Sequence, residues 1–188
     1  MSEYMETERR FFVDAVDARP WRECEHRSEI AQYYLDSSLF KRNGDGLGYG
    51  DAFVLVQMND EEKTLFETTE DWTTRIRFTQ DSVTLTLKGK RSYASATELE
   101  WDISRERGEE IISSKRYPSI TKTRYHWMGE DGMVWEVDEF EGSLAGLVLA
   151  EIELPNIDSA VLLPEWLGTE ITGLHQWSNS TLAHKGIE

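Results

Sequence analysis

Like-charged residues two positions apart recur along this 188-residue chain: Glu6 and Glu8, Arg75 and Arg77, Glu98 and Glu100, Lys122 and Arg124, Glu136 and Asp138, Glu151 and Glu153. Residues at that spacing point to the same side of a β-strand, so on strands each pair gathers one sign of charge on one face. Like charges held so close repel unless something of opposite sign sits between them. Acidic pairs suit a divalent cation, and hard carboxylate oxygens select Mg²⁺ or Mn²⁺. Basic pairs suit phosphate, whose oxygens match the forked donors of arginine. A metal-bridged polyphosphate satisfies both kinds at once. The plainer alternative makes each charged face the wet side of an antiparallel sheet. That accounts for any one strand, but less well for same-sign pairing repeated from strand to strand.

Strands are what the surrounding pattern calls for. Period-2 alternation of polar and apolar residues marks 6–13, 30–35, 52–58, 73–78, 82–88, 97–103, 120–127, 133–140 and 147–154. Gly129-Glu130-Asp131-Gly132 is a turn signal between two of them, and Glu141-Gly142 separates another pair. Regular strands joined by turns predict a mainly β, barrel or sandwich domain. Of the two, a closed barrel brings the acidic and basic pairs to one lumen and turns the apolar faces outward, to be covered by a few helices. Helical patterning predicts segments at 104–115, with Ser104 as N-cap, at 158–163 and at 178–185. Glycines alternate at Gly44, Gly46, Gly48 and Gly50, but no Gly-Lys-Ser/Thr follows; a mobile loop is expected there, not a phosphate-binding P-loop. The acidic run 60–71 reads as a solvated connection. No repeat or second domain interrupts 1–188.

Composition narrows the partners. With 36 acidic against 20 basic residues the formal net charge is -16, which repels nucleic-acid backbones and anionic membranes. The single cysteine, Cys24, has no disulfide partner and no zinc-ligand companion, as expected in a reducing compartment. The N-terminus lacks the basic and apolar stretches of a signal peptide, and no apolar run approaches the ~20 residues that span a bilayer. A soluble, cytoplasmic protein acting on a small molecule is the expectation, as monomer or homodimer.

Taken in order, these segments resemble the CYTH superfamily, the triphosphate tunnel metalloenzymes. The signature of that family is Glu-x-Glu-x-Lys near the N-terminus, and the chain has Glu6-Thr7-Glu8-Arg9-Arg10. Further matches are Gln32–Leu35, Arg75-x-Arg77, Leu85-Thr86-Leu87-Lys88, Glu98-x-Glu100, Lys122-Thr123-Arg124-Tyr125, Trp135-Glu136-Val137-Asp138, and the run Gly146–Leu154. The tail Gly168–Thr172, with Asn179, Leu182 and Ala183, is also similar to the family's end. The resemblance implies a closed eight-stranded antiparallel barrel that hydrolyses the terminal phosphoanhydride of a triphosphate with Mg²⁺ or Mn²⁺. It implies that Glu6, Glu8, Glu151 and Glu153 hold the metal, and that Glu98, Glu100 and Asp138 support a second metal or orient the attacking water. It implies further that Arg10, Arg75, Arg77, Lys88, Lys122 and Arg124 grip the phosphates. Inorganic tripolyphosphate is the first expected substrate. Nucleoside or thiamine triphosphates, class IV adenylate cyclisation and non-catalytic polyphosphate or nucleotide binding are the alternatives. Three departures stand out: Arg10 replaces the signature lysine, His175 lies where many members carry a phosphate-facing lysine, and the 42–72 stretch is longer than a compact member needs. An extra strand over the tunnel mouth is the expectation for that insert.

Overall fold

Alternation of period two becomes twelve strands in the computed structural model, which describes residues 4–14, 19–50 and 54–185. In chain order they are β1 (Met5–Val13), β2 (Arg27–Leu35), β3 (Phe40–Asn43), β4 (Gly46–Tyr49), β5 (Val54–Gln57), β6 (Thr73–Phe78), β7 (Val83–Lys88), β8 (Ser95–Asp102), β9 (Ser119–Met128), β10 (Val134–Phe140), β11 (Val148–Glu153) and β12 (Leu167–Glu170). Three helices accompany them: α1 (Asp60–Thr68), α2 (Arg105–Ser113) and α3 (Asn179–Lys185). Neighbours run β11-β10-β9-β2-β6-β7-β8-β1, and a β11–β1 pairing closes the ring. Every pairing in it is antiparallel, so eight strands form a barrel with no free edge. β12 joins β1 at Phe11 and Val13, across a register shift.

Each barrel strand turns its apolar face outward, the reverse of a barrel filled by its own core. Leu85, Leu87, Leu99 and Ile76 lie outside β6–β8, where Leu47, Val56 and Met58 of the β3–β5 region and Ile111 of α2 cover them. Phe11, Trp135, Val137, Ala150 and Ile152 lie outside β1, β10 and β11 under Trp21 and Trp166. Burying a large side chain of this kind contributes about 1.5–3 kcal/mol, so these outer layers hold the barrel while the lumen stays polar. A third cluster fills the end of the lumen nearest α3: Tyr34, Ile120, Phe140 and Leu149 pack with Ile171, Leu182 and Ala183.

The 42–72 segment departs from expectation. Its glycines build a β3–β4 hairpin that continues into β5 as a three-stranded sheet, not a mobile loop. Gly44 takes the left-handed turn conformation at φ 62°, and a Cβ on Gly46 would meet Val54 Cγ2 at 2.7 Å. The acidic 60–71 run, expected as a connection, carries α1. Asn59 caps it in a reciprocal box with Glu62, and Glu62 Oε1 accepts the Trp101 indole N–H at 2.9 Å. The described residues of the insert pack on the outer face of β6–β8, not across the tunnel mouth, and among them only Asp71 reaches the lumen rim. Residues 52 and 53 of the expected 52–58 strand lie outside the described residues. The α2 expectation holds, with Ser104 accepting from the Arg107 backbone N–H at 3.3 Å. The helix expected at 158–163 does not form. Pro155 and Pro164 flank the segment, and Asn156 Oδ1 accepts from Asp158 N in a local turn instead. No helix among the described residues is long and apolar enough to cross a membrane.

Candidate active site

The barrel encloses a cavity of about 620 Å³. Eight carboxylates line it (Glu6, Glu8, Asp71, Glu98, Glu100, Glu136, Glu151, Glu153), with seven cations: Arg10, Arg75, Arg77, Lys88, Lys90, Arg91 and Arg124. The lumen is therefore close to balanced, and the chain's net charge of -16 resides mainly elsewhere on the protein. Of the thirteen residues singled out in the sequence, eleven line this cavity. Lys122 and Asp138 share the inward strand faces but lie below the cavity, toward Phe140, both fully buried and paired with each other.

Strand register brings the acidic and basic faces together. Lys88 lies opposite Glu98, with its Nζ 3.1 Å from that carboxylate and 3.6 Å from Glu8, and it also pairs with Glu6. Arg75 Nη2 is 3.8 Å from Glu98 and 3.6 Å from Glu100, and Arg77 Nη2 is 3.4 Å from Glu100, which also accepts from Thr86 Oγ1 at 2.7 Å. Arg124 is the hub on the other side. Its Nε and Nη2 both donate to Asp138 at 2.7 Å, while Nη2 also reaches Glu151 at 3.1 Å and Nη1 pairs with Glu136. The same-sign pairs thus compensate one another across strands, and most need no external ion. Asp138 spends both oxygens on Lys122 and Arg124, so it holds Arg124 in place and is not among the residues that line the cavity.

Glu153 is the exception. It stands opposite Glu8 in the β1–β11 register, and among the described residues it has no hydrogen bond or ion pair. Partial burial, then the charges of Glu136, Glu6, Glu8 and Glu98, push its pKa up to about 7. Burial and then Glu151 also raise Glu8, with Lys88 and Arg91 pulling the other way. Burial works against ionisation of Glu151 and Glu136 too, but Arg10 and Arg124 hold Glu151 well below the usual range, and Arg124 brings Glu136 to about 2. Glu8 and Glu153 are therefore two hard-oxygen donors, in register, with a shortage of positive charge between them. That fits a hard divalent cation. Among the described residues no three carboxylate, imidazole or thiol groups already converge as a ligand cluster, since Lys88 and Arg91 hold the acids apart.

A pH dependence follows. A carboxyl whose pKa is higher folded than unfolded binds more protons in the native state, so its contribution to stability falls as pH rises between the two values. For Glu153 the window runs from 4.5 to about 7. The metal-free protein is expected to lose on the order of 1 kcal/mol between pH 5 and 7.5, after allowing for solvent screening of an exposed side chain. Thermal melts in EDTA across that range measure it; a midpoint that is flat or rises with pH overturns it.

Arg10 is largely spoken for. It pairs with Glu151, donates from Nη1 to the Trp177 carbonyl at 3.0 Å and from Nη2 to Asn179 Oδ1 at 2.9 Å, and so ties the C-terminal segment to the lumen. Its Nε, like that of Arg75, is a buried donor with no partner among the described residues, on a residue that lines the cavity, a position suited to an anionic oxygen. His175 lines the cavity, and its Nδ1 lies 3.3 Å from Thr181 Oγ1. Sequence reasoning passed over Arg91, Tyr34 and Thr86 as site residues, and left Glu136 out of the expected ligands although its pairing with Asp138 was visible. Arg91 gives no signal in a strand pattern because it sits on the loop between β7 and β8.

Comparison with known proteins decides the family. The inorganic triphosphatase of Acetivibrio thermocellus is 40% identical over 152 residues, covering 80% of this chain and 89% of that protein. The chain belongs to the CYTH superfamily. The inorganic triphosphatase of Nitrosomonas europaea is similar to this CYTH protein over a shorter region, 38% identical across 66 residues, which is 34% of the chain and 44% of that relative. A solved inorganic triphosphatase structure superposes on the CYTH barrel with a TM-score of 0.57, covering 95% of this chain and 93% of the other at 24% identity. No protein-family model matches the chain.

Proposed function

We propose that this CYTH protein hydrolyses inorganic tripolyphosphate to pyrophosphate and phosphate, with Mg²⁺ or Mn²⁺ as cofactor. The observation that carries the reading is the lumen itself: interleaved acidic and basic side chains line one closed barrel, with Glu8 facing an unpaired Glu153. The inorganic triphosphatase relative at 40% identity supports it. In this reading Glu8 and Glu153, with Glu6 and Glu151 beside them, hold the metal. A cation held by these carboxylates would supply positive charge to offset the charge that builds during phosphoryl transfer. Arg75, Arg77 and Arg124 are held at fixed angles by Glu98, Glu100 and Asp138, so they meet the phosphates already oriented. Glu98 and Glu100 face the same space and are placed to orient the attacking water. Lys122 and Asp138 act through Arg124 and do not touch the substrate.

The lining also favours a substrate without a base. Tyr34 is the only Phe, Tyr or Trp among the described cavity residues, and its hydroxyl accepts from Gln32 Nε2 at 3.1 Å, deep in the polar wall. The acidic exterior and lone cysteine support a free small-molecule substrate in a reducing cytoplasm rather than nucleic acid. Phosphate release from tripolyphosphate, ATP, GTP and thiamine triphosphate, with Mg²⁺, Mn²⁺ or excess EDTA, tests the proposal. Tripolyphosphate is expected to be the best substrate, with activity lost in EDTA. Full activity in EDTA, or a nucleotide clearly preferred, overturns it.

A further inference from the structure

We infer that Arg91 is a switching substrate ligand: it occupies the metal-side carboxylates while the tunnel is metal-free, and turns to a phosphate oxygen once a cation takes them. The inference rests on the function proposed above and concerns a residue outside the strand pattern that builds the site.

Arg91 belongs to the loop of residues 89–94 between β7 and β8. Its Nη2 lies 2.7 Å from Glu8 Oε1 and 3.4 Å from Glu6 Oε2, while its Nη1 donates to the Ala94 carbonyl at 2.9 Å. Five other cations of the lumen keep a carboxylate that the metal does not claim, and Arg10, whose Glu151 it does claim, keeps two neutral acceptors. Lys88 has Glu98, Arg75 and Arg77 have Glu100, Arg124 has Asp138, and Lys90 has Asp71. Arg10 keeps the Trp177 carbonyl and Asn179. Among the described cavity residues, Arg91 is the cation that would be left with least: its charged partners, Glu6 and Glu8, are both assigned to the metal, and only the Ala94 carbonyl remains to it.

Electrostatics then sets the direction of the switch. A divalent cation between Glu8 and Glu153 takes the acceptors of Arg91 and repels its charge, and the nearest compensating negative charge is the phosphate the cation brings with it. The loop backbone supplies a fixed base for the movement. Ser92 and Ser95 exchange two backbone hydrogen bonds, the Ala94 carbonyl accepts the Glu8 amide at 3.1 Å, and Tyr93, in the left-handed region at φ 55°, packs against Gly173. A long arginine side chain can reorient by rotamer change while that base stays put.

Arg91→Ala and Arg91→Lys, compared with wild type, test this through two binding measurements. Calorimetry with Mn²⁺ alone reads the competition, and the KM for tripolyphosphate at saturating Mn²⁺ reads the substrate contact. In Arg91→Ala the metal is expected to bind several-fold more tightly, because its competitor is gone. The KM is expected to rise on the order of 10-fold, the loss of one charge-assisted contact. Arg91→Lys, which keeps the charge but not the fork, should fall between. A residue that merely supports the loop would weaken both together. Unchanged or weaker Mn²⁺ binding in Arg91→Ala, or an unchanged KM, overturns the inference while wild-type turnover leaves the functional reading standing. Wild-type protein that binds neither Mn²⁺ nor tripolyphosphate overturns both.

Discussion

Glu8→Gln and Glu153→Gln are each expected to lower kcat for tripolyphosphate by roughly 10²- to 10³-fold, the scale on which loss of one preorganised charge-stabilising group is felt. The two residues face one another across β1 and β11, so removing either charge leaves a cation with half of its in-register oxygen pair. Glutamine keeps the shape, and the apolar layers that hold the barrel lie on the opposite strand faces, so the fold should survive. A second readout separates the two variants. Glu153 is unpaired with its pKa pushed up to about 7, so Glu153→Gln should raise the metal-free melting temperature at pH 8 by relieving repulsion. Glu8 is partly compensated by Lys88 and Arg91, so although its pKa is also raised, Glu8→Gln should give the smaller gain. Wild-type turnover in either variant would remove the metal assignment. A lower metal-free midpoint for Glu153→Gln would mean that its carboxylate has a stabilising partner.

The largest effect on stability is expected at Asp138→Ala, which should cost about 3–5 kcal/mol, the usual penalty for stripping one partner from a buried ion pair. Asp138 is fully buried and accepts from Lys122 and twice from Arg124. Without it Lys122 loses its direct carboxylate partner and keeps only the more distant charge of Glu151. Burial and then Arg124 already bring the Lys122 pKa down to about 8, so the amine would shed its proton near neutral pH, which caps the penalty. Arg124 keeps Glu136 and Glu151 but loses the bidentate grip that aims it, so tripolyphosphate KM should rise as well. For a domain of this size the melting temperature should fall on the order of 10 °C. Lys122→Met combined with Asp138→Leu, which removes both charges and fills the space, should recover much of the loss. A single Asp138→Ala variant melting within a degree or two of wild type would show that the pair is not a buried electrostatic anchor.

Which side chains face inward could be read from the sequence alone, because side-chain direction on a strand repeats every two residues and needs no knowledge of the neighbours. Glu6, Glu8 and Arg10 fell on one face for that reason, as did Arg75 with Arg77 and Glu151 with Glu153, and the apolar residues between them were marked for the outer layers. The end of the lumen was written there too. Phe12, Ile120, Phe140 and Leu149 share faces with the charged residues, but their meaning as a cluster appears only when α3 and Ile171 are seen beneath them. Other features depended on the stagger between strands and on segments without a repeating pattern. Whether Lys88 meets Glu98 or another acid is decided by register, and so is the burial of Lys122 and Asp138 behind Arg124. The β3–β5 sheet escaped because its glycines serve a turn and a close approach to Val54, which in sequence look the same as a loose loop. Arg91 escaped because a loop residue has no periodicity to betray its direction, and only the tertiary structure brings it to Glu8. Local geometry propagates along a strand, whereas the pairing of charges is settled by contacts between residues far apart in the chain, and no short-range pattern encodes those.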